Sequence, residues 1–456
     1  MNAAQTPKSP IWLSLLPRFI GRHLEGRHGI VSIINNSGWL LLDKALRLLL
    51  GLLVGAWVAR YLGPAQYGEL AYALAYIAFF QAVATLGLDG IVVRDISNTP
   101  DSAGAVLGTA LSLRLISGVV CWLSAVLGMA IINGIDSRSV ILTALAGGAL
   151  IFQAADTVDL WFQSQSQVHR TVLAKLAAYL ISNGAKVVLI LVGAPLISFA
   201  AVMAFDALAA ALGLMISYKL YPCKNRWKKI GVTSKALLRE GWPFMLSGIS
   251  VIAYMRIDQI MIKEMLGESA LGVYAAVLPI ATLGQIVPMT LATSLAPFVA
   301  KKKAEGEEAY WQALEKIFQG FALIGWLACI AIVIFSSLVV DLLFGDKYKL
   351  GATVLAVYSV TSLFISLGVA RWLWSLSERK SGFFLYKTLA GVVVCVVGNF
   401  WVINRFGLVG VAWVAVLSQF VSTVATNLFL APKVIKLQIS SIFFFGYISA
   451  LVRKFK

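Results

Sequence analysis

The residues of this chain that could do chemistry are charged side chains standing inside long apolar runs. Lys44 and Arg47 lie three apart and share one face of a helix, and Gly51 and Gly55 continue the line from Arg47 at four-residue steps, which allows a neighbouring helix to approach closely. Lys175, Tyr179, Ser182 and Lys186 fall within about 60 degrees of one another on a second helix. Arg114, Arg256, Arg371 and Lys387 add single cations elsewhere, and Gln419 is a further polar group in an apolar run. A charge in hydrocarbon is costly, so such groups face a bundle interior or a water-filled cavity. Two cations, a phenol and a hydroxyl in one stripe should line water. The chemistry they offer is recognition and passage of a polar substrate, not bond making.

Acidic residues also stand in apolar runs: Asp43, Asp89, Asp156, Asp159, Asp206 and Asp258. Asp156 and Asp159, with Gln153 and Gln163, give one helix a polar side. For any single charge the plainer reading is an ion pair between helices. The stripe from Lys175 to Lys186 points to function instead, because it repeats a cation with polar groups between and has no acid on its own face. A buried carboxylate can titrate near neutrality, which makes Asp89 and Asp258 candidates to bind a coupling proton or sodium ion. No metal or other cofactor is expected: the four cysteines have no CxxC spacing, and His23, His28 and His169 do not cluster.

The elements that position these groups follow from composition. The chain has 456 residues, of which 59% are hydrophobic and only 13% charged, with a mean hydropathy of +0.84. A soluble domain carries about 25% charged residues, so the solvent here is lipid. Apolar runs at 36–59, 67–88, 107–132, 139–162, 171–193 and 196–218 precede a basic loop. A second set follows at 241–263, 270–298, 314–343, 351–376, 382–403 and 408–431. Each run is long enough for a transmembrane helix and too long for a barrel strand. The expected fold is an all-α integral membrane protein of about twelve helices, with no room for a soluble catalytic domain.

Lys and Arg set the orientation. The loops that share a side with both termini hold roughly four times as many of them as the opposite loops, so both termini are expected in the cytoplasm. The net charge of +17 is therefore read as a topology signal, with basic loops such as Lys301–Lys303 facing anionic head groups, and not as a nucleic-acid surface. The expected organisation is an interfacial segment at 1–35, a six-helix bundle at 36–218, a basic loop at 219–239, a second bundle at 240–431 and a basic tail at 432–456. Short apolar stretches at 11–20 and 441–451 are expected to lie at the interface. Trp39 with Trp57 and Trp372 with Trp374 fit an aromatic belt better than a sugar-stacking platform.

The two halves repeat one another. Leu62-Gly63, Gly68 and Ala71 match Leu266-Gly267, Gly272 and Ala275, Trp161 matches Trp374, and Gly193 matches Gly407. Two parallel repeats of this kind place a substrate cavity at their interface.

With these motifs the chain resembles the O-antigen and polysaccharide-repeat flippases, the polysaccharide transport branch of the multidrug/oligosaccharidyl-lipid/polysaccharide exporter superfamily. The resemblance covers about residues 30 to 435. It is carried by Ala59-Arg60-Tyr61-Leu62-Gly63-Pro64 through Tyr67-Gly68, by Leu86-Gly87-Leu88 followed by Arg94, and by Tyr254 with Arg256-Ile257-Asp258-Gln259. Leu266-Gly267 and Gly272-Val273-Tyr274-Ala275 complete it. It implies export of an undecaprenyl-diphosphate-linked oligosaccharide from the cytoplasmic to the periplasmic leaflet of a bacterial inner membrane. A polysaccharide polymerase and a chain-length regulator would be its partners. Such a head group is too polar to cross hydrocarbon unaided, and charge-assisted hydrogen bonds from Lys44, Arg47, Lys175, Lys186, Arg256 and Arg371 would suit it.

A drug/cation antiporter of the same superfamily should carry more acids than bases in its cavity. Peptidoglycan-precursor flippases resemble fourteen-helix chains, whereas twelve runs are found here. A polysaccharide polymerase or ligase would resemble a chain with a large catalytic loop on the non-cytoplasmic side, where this chain has only short ones.

Overall fold

A computed structural model of the chain describes residues 28–221, 226–378 and 383–443, apart from the side chains of 28–45, 232 and 383–385. The apolar stretch at 11–20, all of that at 441–451 beyond residue 443, His23, Cys223, Arg379 and Lys380 lie outside the described residues, as do the side chains of Trp39, Asp43 and Lys44. All regular structure among the described residues is helical. Among the described residues, ten helical stretches are long and apolar enough to cross a membrane. In the first half the main helices are α1 (His28–Ala84), α2 (Asp89–Asn98), α3 (Ala103–Asn133), α4 (Arg138–Gly147), α5 (Asp156–Ser164), α6 (Val168–Leu191) and α7 (Leu196–Leu220). The second half contains α8 (Gly231–Leu266), α9 (Glu268–Leu283), α10 (Ile286–Glu305), α11 (Glu307–Leu343), α12 (Leu350–Tyr358), α13 (Thr361–Ser377), α14 (Phe383–Phe420) and α15 (Pro432–Ile442).

Two of these helices are broken by an internal glycine, and α1 is far too long for one crossing. At 1.5 Å per residue the 57 residues of α1 would run about 85 Å, against a hydrocarbon core of about 30 Å. The bend lies at Gly63 in α1 and at Gly407 in α14. Gly63 (φ 73°, ψ 168°) and its repeat partner Gly267 (φ 88°, ψ 177°) occupy a backbone region open essentially to glycine alone. That requirement is why the Leu-Gly pair recurs in both halves. Gly193 and Gly407, matched in the sequence, likewise both have positive φ.

The two halves also share irregularities that hydropathy does not reveal. The run at 139–162 is interrupted between Gly147 and Asp156 by a short helix and a 3₁₀ turn, and the run at 351–376 is interrupted at Ser359 and Val360. Broken backbone at membrane depth is tolerated where other helices cover it. Gly118 of α3 lies against the backbone at Leu150, and Gly325 of α11 against that at Leu363, so each break is covered at the corresponding place. A third interruption, at Gly284 and Gln285, divides the run at 270–298 into α9 and α10.

Packing joins the halves through α1 and α9. A Cβ at Gly68 would strike the backbone of Glu268, and one at Gly272 would strike the backbone of Pro64, so each repeated glycine packs on the backbone of the other half. One apolar cluster spans both halves, including Ala56, Ala59 and Tyr72 from the first and Leu271, Tyr274, Tyr348 and Val411 from the second. The Tyr348 hydroxyl donates to the Ala59 carbonyl at 2.6 Å, and the Tyr72 hydroxyl donates to Glu264 at 3.1 Å. Away from the glycine turns, Leu86-Gly87 packs against Gly241 at the start of α8, and Arg94 makes a bidentate pair with Glu240. The start of α8 takes in much of the stretch expected as a loop, and the nearby Lys228 amide donates to Gly104 at 3.0 Å.

Candidate functional site in the membrane interior

Two polar groupings are built into the apolar helices, one in each half. In the first, the Tyr179 hydroxyl of α6 donates to the Arg47 carbonyl of α1 at 2.9 Å, and the Arg47 guanidinium lies 4.9 Å from the centre of the Tyr179 ring. A Cβ at Gly51 would meet the Tyr179 hydroxyl, so the missing side chain makes room for the phenol. Asp206 of α7 lies within electrostatic reach of both Arg47 and Lys186. Ser182 is buried on the same face of α6. Arg47, Tyr179, Ser182 and Lys186 are therefore brought together, with Asp206 as an added acid that spacing on α6 could not reveal.

The second grouping lies on α8, α9, α12 and α14. Asp258 is buried; it accepts a hydrogen bond from the Tyr274 hydroxyl and one from the Gln259 amide at 2.8 Å. Arg256 donates to the Gln259 side chain at 3.2 Å and lies within electrostatic reach of Asp258 and of Tyr67 from the first half. The Tyr254 hydroxyl donates to Gln419, with Ser422 3.5 Å away. Ser422 lies in a π-helical turn at Val421–Ala425, a feature that often marks functional sites. Tyr358 stacks edge-on to Tyr274 at 6.2 Å. The tyrosines of this grouping are spread over three helices, so no local spacing announces them.

Other expected residues lie apart. The structure corrects the reading of the α6 stripe as free of acids: Lys175 is held by Asp156 at 2.7 Å and Asp159 at 2.8 Å, both from α5. The acids sit on a neighbouring helix, where a count along one face cannot see them. Arg114, buried in α3, pairs with Asp89, whose side chain is 65% exposed. One expected substrate cation and one expected coupling acid thus meet each other. Lys387 is buried in α14 with no hydrogen-bond partner for Nζ among the described residues. Arg371 on α13 is half-buried, and its buried Nε has no partner among the described residues. Trp374, expected at a membrane belt, is buried and lines a cavity of about 540 Å³ with Lys303, Tyr310, Trp311 and Lys433.

The model of a family described as polysaccharide biosynthesis protein matches residues 33–303, well over half of the chain. The chain belongs to that family. A curated relative, "Probable low-salt glycan biosynthesis flippase Agl15" of Haloferax volcanii, is 24% identical over 393 residues, covering 84% of this chain and 80% of the relative. The fold is similar to the lipid II flippase MurJ in an inward closed conformation, with a TM-score of 0.69 and 11% identity over 90% of this chain and 92% of that one. It is similar also to a multidrug resistance MATE transporter of the MOP superfamily in an inward-facing conformation, with a TM-score of 0.67 and 18% identity over 86% of this chain and 96% of that one. This member of the polysaccharide biosynthesis family is a multi-pass membrane protein with the fold of those two transporters.

Proposed function

We propose that the chain is a flippase that carries a lipid-linked oligosaccharide across the membrane for surface polysaccharide synthesis. The observation that carries this reading is the placement of guanidinium and ammonium groups in the apolar interior of both halves of a transporter fold: Arg47 and Lys186 in one, Arg256 in the other. In its finer form the substrate is an undecaprenyl-diphosphate-linked repeat unit of O-antigen, capsule or exopolysaccharide. It moves from the cytoplasmic to the periplasmic leaflet of a bacterial inner membrane by alternating access. The naming of the curated relative as a glycan biosynthesis flippase supports the class of substrate. Arg and Lys suit a diphosphate through charge-assisted hydrogen bonds where water is partly excluded. Asp258, held between Tyr274 and the Gln259 amide beside Arg256, is the proposed site of coupling to a proton or sodium gradient. A polymerase and a chain-length regulator would consume the exported repeats.

A drug/cation antiporter is the second reading, favoured by Asp206 and Asp258, each of which balances a cation in its grouping. Deletion of the gene with complementation, followed by mass analysis of lipid-linked sugars and a surface-polysaccharide stain, separates the two. Loss of polymer with accumulation of a single lipid-linked repeat is expected. Unchanged polymer with new drug sensitivity would overturn the flippase reading. Within the complementing set, Arg256→Gln is expected to lower export at least tenfold at unchanged protein level, and export equal to the parent's would return Arg256 to a structural role.

A further inference from the structure

The repeat makes one end of each half comparable, and there the halves differ. In the first half, residues 226–230 run along the start of α3. The Lys228 amide donates to the Gly104 carbonyl at 3.0 Å, and a Cβ at Gly108 would strike the Lys228 backbone. Trp227 lies edge-on to Tyr218 at 5.0 Å and packs with Trp161 on the same two apolar clusters. The chain itself fills that place. The register that matches Trp161 with Trp374 and Gly118 with Gly325 puts Trp311 where Gly104 stands. Around Trp311 and Trp374 the second half has instead the cavity of about 540 Å³. Sites for small molecules enclose about 300–1,000 Å³.

Two like constellations line it. Lys303 lies 5.5 Å from the centre of the Tyr310 ring and is held by Glu378 at 2.8 Å; Lys433 lies 5.2 Å from the centre of the Trp311 ring and is held by Glu307 at 3.3 Å. Glu307 also accepts from the Trp311 indole at 3.3 Å. Lys433 and Glu307 are 72% and 77% exposed, so the mouth is wet, whereas Tyr310 and Trp374 are buried. The Tyr310 hydroxyl lies beside Ser377 and Glu378 without a hydrogen bond to either. Each ammonium is matched by a carboxylate, so the cavity offers no net charge to a phosphate, and a hydrocarbon chain would bury both pairs against their cost. An ammonium has three donors and a carboxylate about four acceptor sites, so both pairs keep capacity for hydroxyl groups next to an aromatic wall. That chemistry fits a ring with hydroxyls on its edge and C–H groups on its face. We propose that this cavity binds uncharged sugar rings of the oligosaccharide head group, where α10 ends and α11 begins. The proposal rests on the flippase reading for the source of the sugar. It adds a site, apart from the interior groupings, that selects the head group by its sugars and not by its phosphates.

The test uses the full-length protein in nanodiscs and titration calorimetry. The probe is the phosphate-free oligosaccharide made by hydrolysing the organism's surface polysaccharide to single repeats, and inorganic phosphate is the competitor. Saturable binding is expected, with phosphate leaving it unchanged. Trp311→Ala removes an aromatic wall and should weaken binding about tenfold. Glu307→Gln, at an exposed position where folding is not at stake, should weaken it about fivefold at an unchanged unfolding temperature. Trp372→Ala, on an exposed indole outside the cavity, should change nothing. No saturable binding by the parent, binding by Glu307→Gln within twofold of the parent, or displacement by phosphate would overturn the proposal. If it falls while gene deletion still accumulates a lipid-linked repeat, the flippase reading stands alone. If the oligosaccharide binds as expected but gene deletion leaves the lipid-linked sugars unchanged, the cavity is a sugar site and the flippase reading falls.

Discussion

Lys175 shows how a single residue's role depends on its neighbours. Its ammonium is shared by Asp156 and Asp159, so removing it leaves two carboxylates facing each other in a half-buried site. Breaking a fully buried pair costs about 3–5 kcal/mol. Partial exposure of all three groups reduces this to about 1–2 kcal/mol. Lys175→Gln is therefore expected to lower the unfolding temperature of the purified protein, and Asp156→Asn combined with Asp159→Asn in that background should restore much of it. Arg256→Gln should lower the unfolding temperature less than Lys175→Gln while lowering export, because Arg256 donates to the neutral Gln259 on its own helix and acts on Asp258, which Tyr274 and the Gln259 amide already hold, only at longer range. Measured side by side, the two variants separate a structural cation from a substrate cation.

The elements are shaped by where glycine was placed. Gly63 and Gly267 turn the chain between paired helices in a conformation that other residues enter at a cost of about 1–3 kcal/mol. Gly63→Ala and Gly267→Ala are each expected to destabilise the protein by that amount in thermal unfolding. The effect should be one of strain and not of collision, since a Cβ at either position meets open space. The interruption after Gly147 is marked only by the Gly147-Gly148 pair, and the one at Ser359–Val360 has no comparable sequence signal. Hydropathy reports burial in lipid, and a helix that changes direction inside the bilayer stays apolar throughout.

At the scale of the whole molecule, the halves meet where Gly68 and Gly272 cross, and there the Glu69 and Glu268 side chains face one another beside Arg138. In the proposed alternating-access cycle this contact opens. The double variant Glu69→Cys with Glu268→Cys is expected to form a disulfide under mild oxidation and to abolish export, with recovery on reduction. Full export in the oxidised form would show that the contact stays closed through the cycle. Gly272→Leu should have the converse effect: a side chain driven into the Pro64 backbone holds the halves apart, so the same cysteine pair should no longer cross-link.

The sequence by itself determined that this is an all-α membrane protein, because lipid permits only structures that satisfy their own backbone, and long apolar runs make that readable without any contact. It also determined the repeat, since a turn that only glycine can make leaves the same letters in both halves. The tertiary structure decided which charges are partners. Lys175 with Asp156 and Asp159, Arg114 with Asp89, and Asp206 beside Arg47 and Lys186 each join residues from different helices. It also revealed that the motifs carrying the family resemblance are largely contacts between the halves: Gly68 on Glu268, Gly272 on Pro64, and Arg94 on Glu240. Helical periodicity fixes which residues share a face of one helix. Which face of another helix lies opposite depends on packing, and no local spacing encodes it.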